Sequence, residues 1–228
     1  MTIGWNPFRI GCNPATGAKP FRHGLVLFGA LASMAAVVAA FARGWPLWVL
    51  VLVAVLPWLP AFVADVAWLG RRSGPLALLY VLVVTQAGHF VEHAAQMVQI
   101  HLLGLSGPGA RGIVGQLDVE WVHFGWNTWV IVAAALLVVR FPRNRWLWAV
   151  VAAATWHELE HAVLLATYLA TGQAGTPGLL SSGGVLGGGL PIGRPGLHFL
   201  YNLVETVPLL VAFAIEVRRA PAAVLRAA

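Results

Sequence analysis

Two short stretches carry most of the chemistry this chain could perform. Residues 89–93 read H-F-V-E-H and residues 157–161 read H-E-L-E-H, so both contain H-x-x-E-H. Positions i, i+3 and i+4 of a helix lie on one face. His89, Glu92 and His93 therefore form one group of metal-ligand types, and His157, Glu160 and His161 form a second. A further pair of echoes follows, H-F-G-W-N at 123–127 and H-F-L-Y-N at 198–202. Six of the eight histidines thus fall into matched slots, in the same order twice. Adding His123 to the first group and His198 to the second gives each three imidazoles and one carboxylate, a donor set for two transition-metal ions. Imidazole and carboxylate suit iron, copper, zinc or manganese, and the lack of a nearby thiolate argues against an iron–sulfur cluster.

The residues around these ligands differ between the two halves. Glu120–His123 and Glu158–His161 are Glu-x-x-His pairs of the kind that hold two metals in four-helix carboxylate bundles. Glu158 has no counterpart in the first stretch, and Glu205, one turn beyond Asn202, is matched by Val130. These two carboxylates are the candidates for catalytic proton handling. Glu205 is alternatively a partner for Asn202 or a histidine. Asn127 and Asn202 are placed to hydrogen-bond a metal-bound imidazole or to tie helices together. Glu120, expected near the outer interface, is read as solvated or as a group behind the ligands. The second stretch also parses as H-E-x-x-H, which would make His157 and His161 zinc ligands and Glu158 the base of a hydrolase. That parsing leaves the first stretch unexplained.

These groups stand in elements that composition defines. Of 228 residues, 59% are hydrophobic and 10% charged, with mean hydropathy +0.79. A soluble domain would carry roughly a quarter charged residues. Apolar runs of about 20 residues span a bilayer, and six occur, at 25–42, 45–69, 76–104, 121–140, 146–171 and 197–217. The expected fold is all-α, a polytopic membrane protein of six transmembrane helices. Its expected organisation is a cytoplasmic N-terminal segment at 1–24, helices one and two at 25–70, a first hairpin at 76–141, a second at 146–218 and a tail at 219–228. The two hairpins read as a duplicated unit, related by an axis along the membrane normal. Together they make a four-helix metal-binding bundle.

Arginine and lysine crowd the segments that face inward if both termini are cytoplasmic, as the positive-inside rule requires. This bias accounts for the net charge of +6, and nucleic-acid binding is not expected. The expected location is a bacterial-type inner membrane. Cys12, the single cysteine, is expected to be an inert thiol. At about 1.5 Å rise per residue the paired groups of all four helices reach one slab, roughly 17–30 Å from the cytoplasmic ends. Ionisable groups at such depth are costly and face the bundle interior, paired or functional. The Gly-rich stretch 171–196 between the last two helices is expected to be a flexible linker, with a lid over the site as the alternative.

The spacing of His89–His93 and of His157–His161 resembles the H-x3-H box of integral-membrane alkane hydroxylases and fatty-acid desaturases, which hold two irons with many histidines. The chain has no adjacent His-His pair, which those families use in their other boxes, so the resemblance is one of chemistry. It implies a di-iron oxidoreductase acting on O2 and a lipid-soluble substrate or quinol, with electrons from a separate donor. Copper or zinc are alternative ions, and haem ligation, a zinc hydrolase and a metal or proton transporter are alternative readings.

Overall fold

The computed structural model describes residues 20–115 and 120–221 together with Val224. Cys12 and most of the expected N-terminal segment lie outside the described residues. Among the described residues seven α-helices run in order: α1 Pro20–Ala42, α2 Leu47–Val55, α3 Leu59–Gly70, α4 Gly74–His101, α5 Glu120–Arg140, α6 Arg145–Thr171 and α7 Arg194–Arg219. The second apolar run is therefore not one regular helix. A 3-10 turn at Leu56–Trp58 joins α2 to α3. Pro57 and Pro60 explain the break, because proline lacks the N–H an interior helical turn needs.

Local sequence sets the other boundaries. The Ser73 hydroxyl caps α4 by accepting from Leu76 N at 3.4 Å, and Pro75 occupies its first turn. The Asn144 side chain caps α6 by accepting from Trp146 N at 3.2 Å. The same side chain donates to Ala212 O at 3.1 Å and to Glu216 Oε1 at 2.9 Å. One residue thus starts a helix and ties the α5–α6 turn to α7.

Five of these units are long and apolar enough to cross a membrane: α1, the α2–α3 rod, α4, α5 and α7. The chain is thus of multi-pass membrane type. The helix α6 has the length, at 27 residues, but His157, Glu158, Glu160 and His161 dilute its hydropathy. The helices α4 to α7 pack as a bundle in which α5 lies on α6 and α7 on both α4 and α6. Away from the longer loops the bundle is filled by a dry core, including Leu79, Leu82, Leu137, Leu147, Val150 and Leu209. In contrast α1 shows Leu27, Phe28, Leu31, Met34, Val38 and Phe41 on its exposed surface. Exposed apolar surface on that scale suits hydrocarbon and not water.

The other end of the bundle holds the longer connections, 102–115 and 172–193. The second of them is not the open linker its composition suggests. Ser182 N donates to Ile192 O at 2.9 Å, Leu186 N to Leu179 O at 3.0 Å and Leu190 N to Leu180 O at 2.7 Å. The Ser181 hydroxyl, in a residue 1% exposed, donates to Pro177 O. Glycine-rich turns let the chain fold on itself, so the segment is a compact cap.

Candidate metal centre

Four helices deliver imidazoles to one place beneath the loops. His89 and His93 come from α4, His123 from α5, His157 and His161 from α6, and His198 from α7. One ligand atom from each of His89, His93 and His123 falls within 4.8 Å of the others, and the same holds for His157, His161 and His198. The expected grouping of histidines is therefore present as two triads, one on α4–α5 and one on α6–α7. The triads adjoin each other: His123 lies 5.6 Å from His161 between ring centroids, and His93 lies 6.0 Å from His198.

The ring nitrogens supply the test of what the cluster is for. Both nitrogens of His93, both of His161, Nε2 of His157 and Nε2 of His198 are buried without a hydrogen-bond partner. Leaving a buried polar atom unsatisfied costs about 1–3 kcal/mol, so six such atoms in one place call for an occupant. Neutral imidazole nitrogens converging within 4.8 Å are donors that a transition-metal ion takes up. The residues fit a metal.

Two imidazoles have their second nitrogen fixed from behind. His157 Nδ1 lies 2.8 Å from Glu205 Oε1, which leaves the buried, unpartnered Nε2 as the ring atom available to the cluster. His198 Nδ1–H donates to Arg194 O at 3.1 Å. Glu205, one of the two expected proton handlers, is thus 1% exposed and in direct contact with a triad histidine.

Glu158, the other, is turned to α5 instead. Its Oε1 accepts from Thr128 Oγ1 at 2.5 Å and its Oε2 from Asn127 Nδ2 at 3.0 Å. Asn127 also donates to Ala154 O at 2.8 Å, so this expected partner of a ligand serves as a tie between α5 and α6. Asn202 donates to His198 O at 3.0 Å and accepts from Gln86, which places it directly behind the second triad.

Glu92 and Glu160, grouped with the histidines by their spacing, stand in neither triad. Glu92 Oε1 accepts from Ile113 N at 2.9 Å and Val114 N at 3.0 Å. Glu160 Oε1 accepts from Leu179 N at 2.9 Å. Each carboxylate holds down the loop that follows its helix. A glycine with positive φ lies against each one, Gly112 at +81° and Gly178 at +70°, and an added Cβ would collide with the carboxylate. Gln96 and Gln99 complete the first anchor, on Ala110 O at 3.0 Å and Gly112 O at 2.7 Å.

Glu120 is not solvated. It is 1% exposed, and Arg194 grips both its oxygens, Nη1 to Oε1 at 2.7 Å and Nη2 to Oε2 at 2.5 Å. Gly175 N adds a bond at 2.9 Å. The pair joins the first turns of α5 and α7 to the second loop. Trp126 stacks on His89, with 5.1 Å between ring centroids. Trp121 is largely exposed and Trp156 partly so, and Trp156 Nε1 donates to Tyr201 Oη at 3.2 Å.

Spacing alone missed Gln86, which is fully buried one turn before His89. Its Nε2 donates to Asn202 Oδ1 at 3.0 Å and Glu205 Oε2 at 3.1 Å, and its Oε1 accepts from Trp126 Nε1 at 3.3 Å. The only sequence signal is a polar residue on the ligand face of an apolar helix. Gln86→Leu should destabilise the protein by about 1–3 kcal/mol, because it strands buried acceptors. Denaturation of purified protein in mixed micelles reads the effect, and an unchanged midpoint would show that the amide is dispensable.

Fold and site together define a class: an all-α protein of multi-pass membrane type with two adjoining three-histidine sets that could each hold a metal ion. Compared with protein-family models, curated proteins and solved structures, the chain matches none of them.

Proposed function

We propose that this chain is an integral-membrane oxidoreductase with a dinuclear metal centre, acting on O2 and a lipid-soluble substrate and drawing electrons from a quinol or a separate donor. The observation that carries the reading is the set of six buried, unpartnered imidazole nitrogens brought together from α4, α6 and α7. In this reading α6 crosses the bilayer as a sixth span, its polar face turned inward, and the two hairpins descend from one duplicated unit. The matched triads and the matched glutamate–loop anchors support that descent.

Iron would be favoured if Glu92 and Glu160 were ligands. Glu92 has both oxygens on loop amides, whereas Glu160 gives only Oε1 to one and keeps a buried, unpartnered Oε2. The triads themselves are all imidazole, so copper suits them too, and Glu160 stays a candidate ligand. Two such ions when bound supply one-electron steps and O2 chemistry. The chain's own residues do the rest. Three histidines per set fix each ion, Glu205 can hold or return a proton at Oε1 beside His157, and the anchored loops keep water from the cluster. The hydrolase alternative needs Glu158 free to act as a base, whereas both its oxygens are engaged by Thr128 and Asn127.

Metal analysis of detergent-purified protein tests the proposal. About two iron or copper atoms per chain are expected, with His93→Ala losing the ion of the first set and His161→Ala that of the second. A single zinc retained in His93→Ala would favour the hydrolase, and metal-free protein would overturn the metal reading altogether.

A further inference from the structure

We propose that the end of the bundle away from the histidines holds the headgroup of an anionic phospholipid, in a cleft between the α5–α6 turn and the end of α7. This stands apart from the metal reading. His123 lies in the first turn of α5 and Arg140 is its last residue.

The positive-inside rule accounts for how many arginines lie at this end, but not for three of them meeting in one cleft. Arg140 ends α5, Arg143 follows in the turn, and Arg219 ends α7. Together they line a cavity of about 550 Å3, with the buried Asn144 and Glu216 between them.

The charges do not cancel. Glu216 Oε1 accepts from Asn144 Nδ2 at 2.9 Å and from Arg219 Nη1 at 3.3 Å, so its charge is spent on Arg219. Among the described residues Arg140 and Arg143 form no ion pair. Three guanidiniums therefore face one carboxylate, and a planar guanidinium matches phosphate oxygens two at a time. Asn144 also donates to Ala212 O at 3.1 Å, which fixes α7 against the turn, so the cleft exists before any ligand arrives.

A second observation singles out a lipid over a free phosphate ion. Val132, Leu136 and Arg140 follow one another at four-residue spacing and share one face of α5. Val132 and Leu136 are half exposed, which makes an apolar strip about 12 Å long running up to Arg140. An acyl chain laid along that strip brings its phosphate to the cleft. Trp146 and Trp148, partly exposed in the first turn of α6, mark the same level as interfacial tryptophans do. The Trp148 Nε1 donates to Pro142 O at 3.2 Å, beside the cleft.

Native mass spectrometry of the full chain in neutral detergent, titrated with phosphatidylglycerol, tests the proposal. Wild type should take up about one phosphatidylglycerol per chain, ahead of phosphatidylcholine. Arg140→Gln and Arg143→Gln should each weaken it about fivefold, and the double variant about 25-fold, at about 1 kcal/mol per arginine. Arg218→Gln, which removes the same charge outside the cleft, should stay within about twofold of wild type. Leu136→Ser should weaken the lipid by about threefold or more. Glu216→Gln should instead tighten binding, by about fivefold, since it removes the opposing charge. A gain in affinity cannot come from misfolding, so this variant decides the matter even if the arginine variants fail to fold.

Three results would each overturn the proposal. Phosphatidylcholine bound as tightly as phosphatidylglycerol would mean that the chain alone is held. Inorganic phosphate displacing the lipid at equal concentration would make the cleft a site for the free ion. A loss for Arg218→Gln as large as that for Arg140→Gln would show a diffuse field of charge and no built site.

Discussion

Arg194→Ala is expected to destabilise the protein by about 3–5 kcal/mol, the usual result of removing one partner from a buried ion pair. Glu120 is 1% exposed and both its oxygens rest on the guanidinium, so the variant strands a carboxylate that water cannot reach. Arg194→Lys should recover only part, because a lysine cannot reproduce the two-pronged contact. Adding Glu120→Gln to Arg194→Ala should recover more, since the buried charge is then gone. Reversible unfolding in mixed micelles measures all four proteins. A loss below about 1 kcal/mol for Arg194→Ala would place the pair with ordinary surface ion pairs. Because the Arg194 carbonyl accepts from His198, loosening the first turn of α7 should also disturb the second triad.

Gly178→Ala should cost on the order of 2–5 kcal/mol, combining a left-handed backbone that a Cβ disfavours with a collision. The collision partner is the Glu160 carboxylate, and Leu164 Cδ2 also lies 3.1 Å from the would-be Cβ. The local origin can be isolated by a double-mutant cycle. Glu160→Ala alone should release the loop at Leu179, and Gly178→Ala made in that background should cost distinctly less than in wild type. Additive costs would mean that glycine and glutamate act separately. Gly112→Ala should behave alike against Glu92, with the added loss of the Gln99 contacts that Gly112 makes through its backbone.

Much of the bundle was legible because its signals are local. Apolar runs placed the helices within a few residues. The six histidines were legible because they recur at fixed spacing on four helices. What the spacing could not divide was the triplet itself. Successive helical residues turn by about 100°, so His93 and Glu92 point about 100° apart although both lie near the face of His89. The histidines at i and i+4 reach the cluster, and the glutamate at i+3 is swung toward the loop.

Other misses have the same physical origin, a partner far away in sequence. Glu120 reads as a solvated interfacial acid until Arg194, 74 residues on, is seen against it. The stretch 171–196 has the composition of a linker, and its fastening shows only in contacts distant in sequence, Gly175 N on Glu120 and Leu179 N on Glu160. Pro57 and Pro60 announced the break in the second apolar run, which was read as continuous. Gln86 carries no motif, and its role depends on three partners from two other helices.

The dry core and the imidazole cluster occupy opposite ends of the same four helices, and the two ends are held by different forces. At the core end, leucines, valines and alanines interlock, and Asn144 bolts α6 to α7. At the loop end Arg194 grips Glu120, Gln86 reaches Asn202 and Glu205, and Glu205 meets His157, all across helices. The bundle therefore has one end locked by shape, where another apolar residue of like volume would serve, and one end locked by identity, where each side chain answers to one particular partner.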